Sequence, residues 1–593
     1  MAGGDAQLAI RLSEANAWAD QDIDPQTRAE TRRLIADAGS GDPAAVEELT
    51  ASFGGRLAFG TAGLRGRLGA GPLRMNRVVV SQTSAGFAAF LLDRAGDGEA
   101  PSVVIGYDGR INSAVFARDA AEVMAGAGVR VFLLPEMGPT PLTAFAVRHL
   151  DASAGVMITA SHNPPQDNGY KVYLGDADAG SQIAPPTDAA IAAQIDLVAQ
   201  RRVSEIPRSR DYTVLGPGVA SAYVTETAAA VLTGLPQDPE RPGLPVGSGT
   251  PLAIAYTAMH GVGSDLARRV FLSAGLPSVV TVPLQDRPDG AFPTVAFPNP
   301  EEPGALDLAY VTARSIDADL VVAHDPDADR LAIALPHPDA PGGFRRLTGN
   351  ELGLLLGWRA AEREAARAEL AGEAPRGTLA CTIVSSPALR AVAETFGLGY
   401  AETLSGFKWV SRVPDLLFGF EEALGYLTHP RIVRDKDGIS ASADAIAMVR
   451  ELASEGRTVW DRLDEAGERF GHFASGQIIV RPGTMAAASA LASRVRRDPP
   501  RRFGAVRVDR ASDLLHPGVA EVPADVLRYD LADGSRVMIR PSGTEPKLKI
   551  YLDTFSDAGS AAERRAAAER ALADLETAVR DYLDGLQTEA TES

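Results

Sequence analysis

Val103-Val104-Ile105-Gly106-Tyr107 is followed by an amphipathic stretch from Phe116 to Ala127 and then, at once, by Val129-Arg130-Val131-Phe132-Leu133. Short β-branched runs on either side of a segment with helical spacing read as strand, helix and strand, and units of this length specify a parallel sheet. The same grammar returns at Leu252-Ala253-Ile254-Ala255-Tyr256 before a helix near Asp265 to Ala274, and at Leu379-Ala380-Cys381-Thr382-Ile383 before Ala388 to Phe396. A polar or glycine-bearing turn separates strand from helix each time: Asp108-Gly109-Arg110, His260-Gly261-Val262-Gly263 and Ser385-Ser386-Pro387. Residue identity between these units is low, so what repeats is architecture, and three related α/β domains are expected.

Around them the pattern changes. Residues 1–50 are acidic and Ala-rich with helical periodicity, as in Ala29-Glu30-Thr31-Arg32-Arg33-Leu34-Ile35, and read as a helical lead-in. Beyond about residue 470 a smaller α+β unit is expected, with strands at Ser475 to Arg481 and Ser535 to Ile539 and a closing helix at Ala561 to Leu583. Gln587 to Ser593 reads as a disordered tail. The Pro/Gly-rich stretches 235–251 and 336–343 read as loops, the second also as a linker.

The 593 residues are too many for one core. A net charge of −19 disfavours sequence-independent binding of nucleic acid or an anionic membrane, because both would be repelled at long range. An anionic substrate must then be caught locally, by clustered Arg and Lys. The single cysteine, Cys381, excludes an intrachain disulfide, and the start Met-Ala-Gly-Gly-Asp lacks the basic segment and apolar run of a signal peptide. A soluble protein of the reducing cytoplasm is expected, since even Leu352 to Trp358 is too short to span a bilayer.

Three strings could carry chemistry. Thr159-Ala160-Ser161-His162-Asn163-Pro164 follows the apolar run Ala154 to Ile158 and so sets a serine at the exit of a buried strand. A Gly-x-Ser-x-Gly elbow is missing, and adjacent Ser161 and His162 do not make a hydrolase pair. Turn capping would explain the serine and asparagine, but not His162 with Lys171 in the same loop. Asp325-Pro326-Asp327-Ala328-Asp329-Arg330 follows a second buried-strand pattern, Ala318 to Ala323. In an extended segment its three carboxylates project to one side and form an oxygen-rich site for a hard cation such as Mg²⁺. An EF-hand is excluded by Arg330 and Pro336 at its sixth and twelfth positions; an Asp-rich surface turn is the other reading. A phosphorylated Ser161 would complete such a cation site. In Arg540-Pro541-Ser542-Gly543-Thr544-Glu545-Pro546-Lys547, Gly543 lets backbone N–H groups approach an anion while Ser542, Thr544 and Arg540 supply further donors: a phosphate cradle or an ordinary polar hairpin. Glu421 and Glu422 suit sugar hydroxyls or a solvated turn, and Lys408 a substrate contact or a snorkelling surface position.

Taken in order with Gly60-Thr61-Ala62-Gly63-Leu64-Arg65-Gly66 and Phe420 to Tyr426, these strings resemble the signature loops of the α-D-phosphohexomutase superfamily over about residues 50–555. Thr257 to Gly263, Phe297 to Glu302 and Asp435-Lys436-Asp437-Gly438-Ile439-Ser440 resemble the branch that holds phosphopentomutase, phosphoglucomutase and glucose-1,6-bisphosphate synthase. The resemblance implies an α/β protein of four domains around a central cleft: α/β domains at 1–212, 213–335 and 336–468 and an α+β domain at 469–593. It implies a phosphoserine at Ser161, Mg²⁺ held by Ser161, Asp325, Asp327 and Asp329, and proton transfer or charge stabilisation by His162 and Lys171. Arg65 and Arg330 would orient phosphates. Lys408, Glu421 and Glu422 would contact the sugar, and Arg540, Ser542, Gly543, Thr544 and Lys549 the phosphate that stays. The substrate would be a small phosphosugar and the activator a sugar bisphosphate, on a monomer or homodimer without nucleic-acid or membrane partners.

One departure stands out: Leu424-Gly425-Tyr426 replaces the Ser-Gly-His common among hexomutases, which unsettles both the general base and hexose selectivity. A phosphosugar mutase of phosphoglucomutase/phosphomannomutase type is the leading reading. A phosphopentomutase, a sugar-bisphosphate synthase using an acyl-phosphate donor, a phosphatase and a non-catalytic phosphosugar-binding protein are its rivals.

Overall fold

A computed structural model describes every residue except Met1, Ala62, Asp97, 235–245, 517–521, 542–546 and Ser593; for 2–5 and 587–592 it describes the backbone alone. Most of the expected loop at 235–251 therefore lies outside the described residues. The chain forms two compact units. One comprises Met1–Leu347, Phe407–Arg412 and Ala423–Arg450, the other Thr348–Gly406, Val413–Glu422 and Glu451–Ser593.

In the first unit the helical lead-in is three helices, Ala2–Gln21, Pro25–Gly39 and Pro43–Phe53. The second and third start the same way. Asp24 and Asp42 accept from the backbone N–H of Gln26 and Ala44, and a proline whose missing N–H costs nothing there takes the first helical position. Trp18, Leu49 and Phe53 are buried in one core with Val78, Phe87, Val103 and Ile158, so these helices are part of the first α/β domain.

The sheet of that domain runs in the order Leu64–Arg67, Asp167–Leu174, Ala154–Ile158, Ser102–Tyr107, Arg130–Leu133, Thr213–Val214. Ser102–Tyr107 is parallel to both neighbours, as the β-branched runs predict. Asp167–Leu174 returns antiparallel to Ala154–Ile158. Every residue of Ala154–Ile158 is buried, as expected of a central strand in a mixed sheet covered by helices.

The second sheet is ordered Phe344–Arg346, Leu331–Pro336, Leu320–His324, Ile254–Thr257, Val280–Thr281. Leu320–His324 lies parallel to Ile254–Thr257 and antiparallel to Leu331–Pro336. Its five residues are all buried, each large apolar one contributing about 1.5–3 kcal/mol. The stretch 336–343, expected to be a linker as well as a loop, is the connection of a hairpin. Phe344–Arg346 pairs back on Leu331–Pro336, so the second sheet extends to Arg346.

The second unit holds a parallel arrangement of Gly399–Thr403, Thr378–Thr382 and Leu416–Glu421. It is backed by the helix Gly349–Ala371, which opens on a capping box: Thr348 Oγ1 accepts from Glu351 N and Thr348 N donates to the Glu351 carboxylate. An antiparallel sheet follows, ordered His472–Val480, Leu548–Ser556, Arg536–Pro541, Leu527–Leu531, Val506–Asp513, Arg502–Phe503. Val384 of the parallel layer is buried against Met538 and Tyr551 of the antiparallel one. Between the layers Arg536 donates to Asp553 at 2.7 Å and to the Ser385 carbonyl at 2.6 Å.

The last helix runs over Ala561–Glu592, through the stretch expected to be disordered and past Gly585. Leu575, Val579 and Leu583 are buried in the core of this layer, and Arg494 Nη1 donates to the Leu586 carbonyl at 2.6 Å. The buried Leu575, Val579 and Leu583 anchor the helix ahead of that stretch. Among the described residues no helix is long and apolar enough to cross a membrane.

Candidate active site

The carboxyl ends of Ala154–Ile158 and Leu320–His324 present Ser161 and the aspartate loop to each other. Ser161 Oγ donates to Asp325 Oδ2 at 2.8 Å and lies 3.2 Å from His162 Nδ1. Ser161 sits at φ 51°, a left-handed conformation that L-residues with a side chain adopt only when surroundings hold them there. Part of the hold is local: Ser161 N donates to Thr159 Oγ1 at 2.9 Å.

Asp325, Asp327 and Asp329 are buried and each brings an oxygen to within 4.8 Å of the others. An extended segment was the expected reason; a turn is the actual one. Ala328 takes φ 52° and donates its N–H to the Asp325 carbonyl at 2.9 Å. Two glycines let the backbone crowd this turn. A Cβ on Gly261 would lie 2.3 Å from Pro326 Cα, and one on Gly438 2.4 Å from the Arg330 carbonyl oxygen. The Thr257 to Gly263 and Asp435 to Ser440 motifs thus wrap the aspartate loop.

Charge balance explains how three buried carboxylates coexist. Lys171 Nζ donates to Asp327 Oδ2 at 2.7 Å and Asp329 Oδ2 at 2.9 Å, Lys436 Nζ lies 3.3 Å from Asp329 Oδ2, and Thr140 Oγ1 donates to Asp327 Oδ2 at 2.6 Å. Burial pushes Asp329 up, but Lys171, Lys436 and Arg330 outweigh it and hold its pKa low. Asp325 is raised well above the ordinary range by burial and by Asp327 and Asp329. Burial lowers Lys171, yet the two carboxylates more than offset this, so here it is a firm cation and not a base. Burial, Arg330 and Arg65 keep His162 well below its usual pKa and therefore neutral.

Asp327 Oδ1 and Asp329 Oδ1 are buried with no hydrogen-bond partner among the described residues. Oxygens left in this state fit a divalent cation, which needs several carboxylate oxygens and no donor. The residues present therefore suit Mg²⁺.

Arg65 and Arg330 lie at the same end. Arg65 Nη1 donates to Asn163 Oδ1 at 3.1 Å, and Arg330 N to Asp325 Oδ1 at 3.1 Å. Lys408 Nζ donates to Thr61 Oγ1, tying it to the Gly60 to Gly66 loop.

The remaining candidates belong to the second unit. Glu422 Oε2 accepts from Ser385 Oγ at 3.1 Å, and Glu422 N donates to the same hydroxyl at 3.0 Å. Burial, then the neighbouring Glu421, pushes its pKa up to about 7. Arg540 and Lys549 stand directly opposite each other on adjacent antiparallel strands and so share a face. Ser542, Gly543 and Thr544 lie outside the described residues.

The raised Glu422 gives a test. A carboxyl whose folded pKa lies above its ordinary 4.5 favours folding most below about pH 4.5, and that contribution is lost as pH rises through about 7. Glu422→Gln carries no such ionisation, so its Tm should climb relative to the unmodified protein between about pH 4.5 and 7 and then stay level. Parallel pH–Tm curves for the two proteins would count against this environment.

Sequence reasoning passed over several of these residues. Lys436 was visible only as a letter in a branch motif, and Thr140 not at all. Ser385 appeared as a strand–helix connector, without any sign that it serves Glu422.

Sequence models of the phosphoglucomutase/phosphomannomutase family match this chain in order: α/β/α domain I over residues 56–202, domain II over 242–338, domain III over 348–470 and the C-terminal domain over 505–571. A probable phosphomannomutase of Haemophilus influenzae is 46% identical over 509 residues, 86% of this chain and 98% of that protein. The phosphopentomutase of Mus musculus is 33% identical over 94% of this chain and 92% of its own length. The solved structure of a phosphoglucomutase/phosphomannomutase family protein from Burkholderia thailandensis shares the fold, with a TM-score of 0.63 at 20% identity over 88% of this chain and 96% of that one. Shared domain order and near-complete coverage by relatives with mutase names lead to one conclusion: the chain belongs to the phosphoglucomutase/phosphomannomutase family and is a phosphosugar mutase, an isomerase that relocates a phosphoryl group.

Proposed function

We propose that this mutase interconverts the 1-phosphate and 6-phosphate of an aldohexose through a phosphorylated Ser161 and a sugar bisphosphate. The observation that carries this is the 2.8 Å approach of Ser161 Oγ to Asp325 in a buried carboxylate triad, in which Asp327 Oδ1 and Asp329 Oδ1 lack hydrogen-bond partners among the described residues. Phospho-Ser161 gives its phosphoryl group to a hydroxyl of the sugar monophosphate. The bond from phosphorus to the serine oxygen breaks, a bond to the sugar oxygen forms, and in balance the proton of the sugar hydroxyl replaces the phosphoryl group on Ser161 Oγ. The bisphosphate turns round and returns its other phosphoryl group to Ser161.

Mg²⁺ held by Asp325, Asp327, Asp329 and the serine phosphate would supply electrostatic stabilisation of the charge on the transferring group. Lys171, Lys436 and Arg330 contribute fixed positive charge at the same end. Neutral His162, whose Nδ1 faces Ser161 Oγ, is placed to accept or return a proton there. Glu421 and Glu422 receive sugar hydroxyls; Arg540, Ser542, Gly543, Thr544 and Lys549 hold the phosphate that stays. A catalytic amount of sugar bisphosphate is the expected activator, and a cytoplasmic monomer or homodimer the setting.

A pentose phosphate is the second reading. Tyr426 replaces the histidine of many hexomutases and its side chain is fully buried, and phosphopentomutases are among the relatives that span the chain. The deciding experiment supplies the 1-phosphates of glucose, mannose and ribose with Mg²⁺ and a trace of the matching bisphosphate. Faster turnover of a hexose phosphate supports the first reading, and faster ribose 1-phosphate turnover the second. Turnover of none, together with bisphosphate formation from 1,3-bisphosphoglycerate, would replace both with a synthase.

A further inference from the structure

We propose that Arg110 is a positioning residue for phosphoryl transfer: its buried guanidinium holds the serine loop in the left-handed turn that aims Ser161 Oγ at Asp325. The inference rests on the reading of Ser161 as the phosphoryl carrier.

Loop carbonyls ordinarily find partners in secondary structure or water. In residues 161–167 one side chain takes four of them. Arg110 Nη2 donates to the Ser161 and Asn163 carbonyls, each at 2.6 Å, and Nη1 to the Pro164 and Asp167 carbonyls at 2.9 and 3.1 Å. The planar fork of a guanidinium carries four N–H donors on its two Nη nitrogens, which is what four separated carbonyls require. A lysine ammonium projects its donors from a single point and cannot reach all four.

The fork is itself fixed. Arg110 is 4% exposed, and its Nε lies 3.5 Å from Asp108 Oδ2. Asp108 Oδ1 accepts from Ser113 Oγ at 2.6 Å and from Arg110 N at 3.0 Å, which locks the carboxylate in turn. Against the guanidinium lies the buried ring of Phe292, its centroid 4.9 Å from Cζ. That ring comes from the second α/β domain, which also carries the aspartates. Arg110 thus joins the two halves of the reacting geometry: it holds the serine peptide directly and abuts the domain that presents Asp325.

Ser161 is the atom donor whose direction matters most, and its φ of 51° is a conformation the residue does not choose alone. With Arg110 gone, the loop carbonyls turn to water, Ser161 relaxes toward ordinary backbone angles, and Oγ moves off Asp325. A displacement of about 1 Å at a reacting atom lowers turnover by about 100-fold.

The test uses the full chain with Mg²⁺ and sugar bisphosphate, comparing Arg110→Lys and Arg110→Gln with the unmodified enzyme. In both variants kcat should fall about 100-fold while KM for the sugar phosphate stays within about twofold. Phosphorylation of Ser161 by the bisphosphate, followed by intact-mass spectrometry, should slow in parallel. If neither variant folds by circular dichroism, Thr159→Val, which removes the Ser161 N–H restraint together with a hydrogen bond to the Asp108 carboxylate that fixes Arg110, should lower kcat about tenfold at unchanged KM. A folded Arg110→Gln with kcat within about threefold of the unmodified enzyme overturns the proposal, and so does a parallel collapse of KM, metal response and kcat, which would mark a scaffold role. An unmodified enzyme whose turnover survives Ser161→Ala would instead sink the phosphoserine reading and this inference with it; Ser161-dependent turnover with unaffected Arg110 variants sinks this inference alone.

Discussion

Ser161→Ala should lower kcat by about 10⁴-fold or more while leaving the fold intact. The size of the effect follows from what is removed. In the proposed mechanism every turnover passes through the serine oxygen, and Lys171, engaged by two carboxylates, offers no substitute carrier. The small structural response follows from what is kept. The substituted alanine would need the same positive φ, but the Arg110 and Thr159 bonds that impose it act on the backbone and survive the substitution. Only the two contacts of Oγ, to Asp325 and His162, are lost. Circular dichroism and a Tm within a few degrees of the unmodified protein should accompany the loss. Retention of more than about a hundredth of the activity would move the carrier role elsewhere.

The difference between what the sequence reveals here and what it hides is one of range. Val103 to Tyr107 and Ala154 to Ile158 announce themselves because burial on both faces leaves a continuous apolar run, and the strands stand where those runs predict. The serine and aspartate loops are legible for a related reason: each follows such a run, and polar residues at a strand exit stand out. Contacts that complete the site have no such signature. Lys436 reaches Asp329 across more than a hundred residues of chain, and Thr140 reaches Asp327 from a helix start that reads as scaffold. Arg110 sits in a three-residue turn whose composition says only that the chain reverses.

The two misread loops fail differently. At 336–343 composition correctly gives a loop but cannot tell a hairpin from a linker, because strand pairing between 331–336 and 344–346 is decided by a neighbour on the sheet. In the aspartate loop the alternation of Asp with Pro and Ala suggests extension, whereas Gly261 and Gly438 admit flanking backbone so close that only a tight turn fits. The tail helix shows the third case, in which a side-chain bond from Arg494 and a buried Leu583 carry a helix past a glycine.

Asp327→Asn should separate the charge of the triad from its shape. Asparagine keeps an oxygen acceptor for Thr140, whose hydroxyl now donates to Asp327 Oδ2 at 2.6 Å, but it removes one of the negative charges that attract a cation. The Mg²⁺ concentration for half-maximal activity should rise at least about tenfold, and kcat at saturating Mg²⁺ should fall about 10²–10³-fold, the scale expected when one preorganised electrostatic partner is lost. Stability should move the other way or not at all. Lys171 keeps Asp329 at 2.9 Å, so no buried cation is stranded, while Asp325 and Asp329 lose a like-charged neighbour. A carboxylate retained for folding would give the opposite pattern, with Tm falling by several degrees and the Mg²⁺ response unchanged. A protein that becomes no less stable as it loses its metal response keeps Asp327 for chemistry, and the buried repulsion among Asp325, Asp327 and Asp329 is then a strain that function maintains against stability.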